Sequence, residues 1–244
     1  MSLTDWTIYR DGGTISSNPT AIASITTTNP LVGAGSLRVT ESPGTDFQSI
    51  NLVPATFPTG YLSGRMRTLI RLDNMISVSN PSHVSHAGLL CLQSVENMSK
   101  FGAFGGTGKS YGASVSIGNG FSSQKINLYK FTSGLDGSSG QLLAALTNIT
   151  PSFTLTTGSV IALELQWRAD PIVVTELGGV SLKIRIGQLL DFSDLQEVIA
   201  YVDTVSPYTA TVSEGLWAGL KSVSGSEAVR FTVDSTLSYR TSIH

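Results

Sequence analysis

The chain has 244 residues, a formal net charge of −2 and one cysteine, with 41% hydrophobic and only 13% charged residues. That length suits one large all-β domain, 1–244, able to enclose ~70% of the surface its unfolded form exposes, so neither a disulfide nor a metal is needed to hold a core. No basic cluster marks a nucleic-acid partner, and no apolar run approaches the ~18 residues of a membrane-spanning helix.

The charge content falls well below the roughly 25% of an average globular domain. Ser, Thr, Asn and Gly take the polar positions instead. Such a surface is weakly hydrated and tolerates close contact with other protein. The opening residues Met1-Ser2-Leu3-Thr4-Asp5-Trp6 lack the basic and apolar regions of a signal peptide. The chain as given is therefore expected not to be secreted by a signal peptide; the expected location is a large assembly, the virion, after synthesis in the host cytoplasm. The triplets Asn97-Met98-Ser99 and Asn148-Ile149-Thr150 are accordingly poor glycosylation candidates.

Strand signals recur along the whole chain, separated by Gly, Pro, Asn and Asp. The first are Thr7–Arg10, Ala21–Thr26, Ser36–Glu41 and Gln48–Val53. Ser63–Asp73 follows, with Met66, Ile70 and Leu72 on one face and Arg65, Arg67 and Arg71 on the other, the period of two that a half-buried strand requires. Asn74–His86 reads as the longest loop. Ala87–Val95 contains Cys91 in an apolar run and places it in the core as a small hydrophobe. Tyr111–Gly118, Lys125–Thr132 and Gln141–Asn148 come next, with a turn at Asp136-Gly137. Ser159–Ala169 alternates most clearly: Ile161, Leu163, Leu165 and Trp167 point to the core, and Glu164, Gln166 and Arg168 point away. Val180–Leu190, Val198–Asp203, Gly215–Val223 and Ala228–Tyr239 complete fourteen strands. A short helix is allowed only at Ser193–Ala200 or Tyr208–Val212. So many strands on one chain imply two packed, mostly antiparallel sheets.

Several segments imitate catalytic motifs. Ala103-Phe104-Gly105-Gly106-Thr107-Gly108-Lys109-Ser110 resembles a relaxed phosphate-binding loop. Phosphate binding there needs a helix whose first amides face the anion, whereas Tyr111–Gly118 alternates as a strand, so the segment reads as a glycine-rich connection. His83 and His86 lack a third ligand for zinc and read as solvated loop residues. No Gly-x-Ser-x-Gly elbow is present for a Ser–His hydrolase. Sugar hydrolysis needs two carboxylates about 5–9 Å apart. Asp191, Asp194 and Glu197 cluster near one loop but form no same-face pair on a strand. The expectation is no catalytic residue, no metal and no cofactor. Among the aromatics, Trp167 is core, Trp6 is a staple or a contact, and Trp217 in the Gly215–Val223 strand is the candidate ligand or partner contact.

Gly35-Ser36-Leu37-Arg38-Val39-Thr40, Lys125–Lys130 with Leu142-Leu143-Ala144, Ser159–Arg168 with Ser181–Gly187, and Gly215–Leu220 with Ala228–Asp234 resemble the strands of concanavalin A-like, laminin-G-like jelly rolls. The resemblance implies a two-sheet antiparallel jelly-roll sandwich of the lectin and glucanase type. The glucanase signature Glu-x-Asp-x-x-Glu and a lectin-like calcium cluster are both missing. What remains is the non-catalytic branch, and the low charge and Ser/Thr/Gly-rich strands look like bacteriophage head-decoration or tail proteins. The functional expectation is thus a non-enzymatic structural protein of the virion. Its partners would be other virion subunits, copies of itself or glycans. The alternative is a carbohydrate-binding module, and the third reading a polysaccharide-cleaving enzyme.

Overall fold

A computed structural model describes residues 6–10, 13–14, 23–41, 48–54, 62–74, 84–93, 109–118, 123–132, 140–147, 155–170, 179–208, 213–221 and 229–240. Fifteen strands lie among them. They are β1 (Trp6–Arg10), β2 (Gly13–Thr14), β3 (Ala23–Thr26), β4 (Ser36–Glu41), β5 (Gln48–Pro54), β6 (Ser63–Asn74), β7 (Val84–Gln93) and β8 (Ser110–Gly118), then β9 (Ser123–Phe131), β10 (Gly140–Thr147), β11 (Val160–Asp170), β12 (Gly179–Gly187), β13 (Gln196–Asp203), β14 (Ser213–Lys221) and β15 (Val229–Arg240). One sheet runs β10-β9-β8-β7-β14-β5-β1-β2 and the other β13-β12-β11-β6-β15-β4-β3, every pairing antiparallel. The fold class expected from alternation is the one observed.

The core lies between the sheets. Met66, Ile70 and Leu72 from β6 meet Ile161, Leu163, Leu165 and Trp167 from β11, against Ala87, Leu89 and Cys91 of β7 in the opposite sheet. Trp167 is 2% exposed and pairs in register with Gly64 and Leu182.

Three sequence expectations are corrected. The segment Ser193–Ala200, where the sequence allows a short helix, is a turn followed by β13, because Ile199 and Asp203 are drawn inward by the alternation of a strand at the sheet edge. No helix lies among the described residues, and 209–212 fall outside them. Strand β12 stops at Gly187 rather than Leu190, since the Asp194 carboxylate accepts hydrogen bonds from the amides of Gln188 (2.7 Å) and Leu189 (3.1 Å) and turns the chain. Strand β7 begins at Val84, so His86 is a strand residue, buried at 7% exposure, and not a solvated loop histidine. His83, the Asp136-Gly137 turn and the two Asn triplets lie outside the described residues.

The outer face of the seven-stranded sheet is not simply solvated. Glu164 is 1% exposed there, with Oε1 accepting from Gln166 (2.7 Å) and Arg185 (3.2 Å). Phe192 and Leu195 fold over it with Leu31, Leu69 and Ala162, and the Arg67 guanidinium stands 4.4 Å above the Phe192 ring. This small satellite core explains how a carboxylate on the outward face of β11 becomes enclosed.

Candidate functional site

Residues opposite one another in neighbouring strands share a face. Ala87, Leu89 and Cys91 of β7, Ala113, Val115 and Ile117 of β8, and Ile126 and Leu128 of β9 all face the core. The intervening residues form the outer face of the eight-stranded sheet: His86, Gly88 and Leu90 from β7, Gly112, Ser114 and Ser116 from β8, and Lys125, Asn127, Tyr129 and Phe131 from β9. Strand β8 thus carries only small side chains on this face, between two strands that carry rings.

That arrangement lets rings meet across a strand. The His86 and Tyr129 centroids are 5.9 Å apart with planes at 77°, an edge-to-face contact that passes over Ser114. Tyr129 stacks on Phe131 from the other side, at 5.6 Å and 30°. Both distances fall in the attractive range for aromatic pairs. Phe131 is 1% exposed and lies over Gly112 and Gly140, where a Cβ on either would come within 2.8 Å of its ring. Tyr129 itself is half-buried, and Leu142, its register partner on β10, is 51% exposed. The face therefore shows an apolar step of Tyr129 and Leu142 beside a buried, uncharged polar floor of His86, Ser114, Ser116 and Asn127.

The electrostatics follow from enclosure. Burial pushes the His86 imidazole down to about 4, so it is neutral at pH 7, and its Nδ1 lies 3.4 Å from the Ser114 hydroxyl. Burial also raises the Tyr129 phenol. Lys125 is a charged group of this face, exposed at the end of its row.

Strand β9 is held from beneath as well. Its core-facing Lys130 lies 2.6 Å from the Asp203 carboxylate at the end of β13, and donates to the carbonyls of Val205 (2.5 Å) and Ser206 (3.1 Å). Tyr111 donates to Asp203 (2.5 Å) and accepts from the Tyr208 amide (3.1 Å), while the Tyr208 hydroxyl donates to the Phe131 carbonyl (2.8 Å). This network crosses between the sheets directly behind Tyr129 and Phe131.

The sequence-predicted contact, Trp217, pairs with Gly88 on one side and Asn51 on the other, in a row that continues through Ser114 to Asn127. Its side chain lies outside the described residues. Sequence reasoning missed Tyr129 and His86, although Lys125, Asn127, Tyr129 and Phe131 alternate with Ile126, Leu128 and Lys130 in plain view.

The imitated motifs do not assemble among the described residues, and 103–108 lie outside them. Lys109 is exposed, 5.6 Å above the Tyr208 ring, and is followed by strand β8 rather than a helix. The carboxylates near 191–197 shape turns. Asp194 caps two amides, and Asp191 accepts from the Ser193 hydroxyl (2.7 Å) and amide (3.0 Å), bonds that hold its carboxyl below the ordinary range. Glu197 is paired with Lys183 at 2.8 Å. Among the described residues no three His, Cys, Asp or Glu side chains converge as metal ligands.

No protein-family model matches the chain, and no curated protein sequence does. Solved structures do match in fold. An endo-1,3-beta-glucanase from Streptomyces sioyaensis is similar with a TM-score of 0.56 at 11% identity, over 98% of this chain and 90% of that one. The cellulose induced protein Cip1 is similar with a TM-score of 0.52 at 17% identity, over 99% of this chain and 94% of that one. With the topology above, these likenesses show the fold, a two-sheet antiparallel jelly-roll sandwich like that of the two proteins.

Proposed function

We propose that the chain binds carbohydrate, without cleaving it, on the outer face of the eight-stranded sheet. The observation that carries this reading is Tyr129, a partly accessible ring held between Phe131 and His86 and set beside exposed Leu142. A sugar ring has an apolar C–H face that packs on an aromatic plane, and hydroxyls that suit uncharged polar groups. A pre-fixed ring also loses little conformational freedom when it takes a ligand, which favours affinity. The fold shared with an endo-1,3-beta-glucanase supports the reading.

Retention rather than hydrolysis is proposed from the chemistry of this face. Cleavage by paired carboxylates needs two of them about 5–9 Å apart, whereas the described residues here are Ser, Asn, His, Tyr, Lys, Gly and apolar groups. Affinity electrophoresis against soluble neutral polysaccharides, laminarin among them, tests the proposal. Retardation by at least one polymer is expected, with intact polymer recovered afterwards and loss of retardation in Tyr129→Ala. No retardation by any polymer, or an unchanged Tyr129→Ala, would overturn it.

The reading as a virion structural protein rests on the 13% charge content and the Ser/Thr/Gly-rich strands. A glycan-binding face is compatible with a place on a particle, and mass spectrometry of purified particles is the measurement that bears on it.

A further inference from the structure

We propose that His86 is a positioning residue for this face: its ring, reaching across β8, fixes the orientation of Tyr129 in which Tyr129 meets a sugar. The inference rests on the glycan-binding reading for its ligand, but its structural part stands on geometry alone. Antiparallel strands lie ~4.8 Å apart, and the register puts Lys125 across from His86 and Leu90 across from Tyr129, so His86 and Tyr129 are two strands and four positions apart at the backbone. The two rings nonetheless approach to 5.9 Å. Two features make this possible. The outer positions of β8 nearest them are Gly112, Ser114 and Ser116, which leave the space above the strand open. Gly88 also lets β7 lie close against β8, since a Cβ there would stand 1.9 Å from the Ala113 carbonyl oxygen.

The hydroxyl of fully buried Ser114 then holds the imidazole at Nδ1, 3.4 Å away, and sets the plane that the ring presents to Tyr129. Phe131 fixes the opposite side of Tyr129, leaving it clamped between two rings. Enclosure disfavours a charged imidazole, so acid weakens the arrangement in which the ring is buried against Tyr129. Among the described residues, the groups facing His86 include Ser116 on β8 and Gly219 on β14 as register partners, and Ser114 and Tyr129. Burial raises the Tyr129 phenol, which stays neutral through acid pH, and the register puts Lys125 of β9 and Lys221 of β14 on the same face.

Two variants separate ring from hydrogen bond. His86→Phe keeps an aromatic edge without charge, and His86→Gln keeps a polar partner for Ser114 without a ring. Ring flipping of Tyr129, read by NMR, needs no ligand: it should stay slow in the wild type and in His86→Phe, and accelerate at least tenfold in His86→Gln. Laminarin retardation should be kept at pH 7 in His86→Phe and drop at least fivefold in His86→Gln. It should weaken toward pH 4 in the wild type but not in His86→Phe. Unchanged flipping in His86→Gln overturns the positioning role, as does equal acid loss in both proteins. Absence of retardation of the wild type by laminarin and every other neutral polysaccharide, with the flipping pattern as expected, counts against the glycan reading and leaves the ring clamp supported.

Discussion

Lys130 and Asp203, far apart in sequence, form an ion pair of 2.6 Å between the two sheets with side chains only 6% and 3% exposed. Neither charge is solvated, so each depends on the other. Removing one leaves the partner buried and uncompensated, which costs about 3–5 kcal/mol. Lys130→Met is expected to lower unfolding stability by that amount, and adding Asp203→Leu to recover part of it. Denaturant unfolding of the single and double variants measures the coupling, and additive losses would show that the pair acts independently.

The same network sets an alkaline limit. Burial, followed by the Asp203 carboxylate, pushes the Tyr208 phenol up to about 12, and burial with the Asp203 hydrogen bond raises Tyr111 further still. In the unfolded chain these phenols ionise near pH ~10. The folded form keeps its protons where the unfolded form has lost them, so stability should fall as pH rises above ~10. Tyr208→Phe should make that fall less steep, as measured by the melting temperature across the alkaline range.

On the acid side His86 governs a second window. Its imidazole titrates near 4 when folded, against an ordinary value near 6.5. Between those values the unfolded chain binds a proton that the folded one refuses, so the contribution is complete above pH 6.5 and is lost as pH falls toward 4. The span corresponds to about 3 kcal/mol. His86→Phe should flatten this part of the stability profile, and an unchanged slope would show that other groups carry it.

Trp167→Ala should cost roughly 3–5 kcal/mol through lost burial and a residual cavity. Trp217→Ala should cost far less stability while weakening ligand or partner binding. Urea unfolding of both variants ranks them, and a larger loss for Trp217→Ala would mean that this tryptophan is core instead.

Much of this was legible in advance. Alternation in 63–73 and 159–169 placed Met66, Ile70, Leu163, Leu165 and Trp167 correctly, because the inner face of the sheet packs into the main core. His86 was hidden because Val84-Ser85-His86 has no apolar pair to mark a strand, and its contacts with Ser114 and Tyr129 come from β8 and β9, distant in sequence. Glu164 was placed on the right face, but the loop through Phe192 that encloses it is a tertiary event. Lys130 alternates with Ile126 and Leu128 and so pointed inward from the start. Its partner Asp203 belongs to the other sheet, and no local pattern names it. The Tyr129 clamp likewise depends on which strands become neighbours.

The strand order bears on how the molecule is made. Strand β14 lies between β7 and β5, and β15 between β6 and β4, so the last strands of the described chain close the middle of both sheets. On a ribosome that releases the chain from its N-terminus, every earlier strand can be present while each sheet is still two half-sheets with open hydrogen-bonding edges. Such edges invite pairing with other nascent chains. Productive folding is therefore a late event during synthesis. Premature termination before residue 229 would yield an aggregation-prone product rather than a smaller domain.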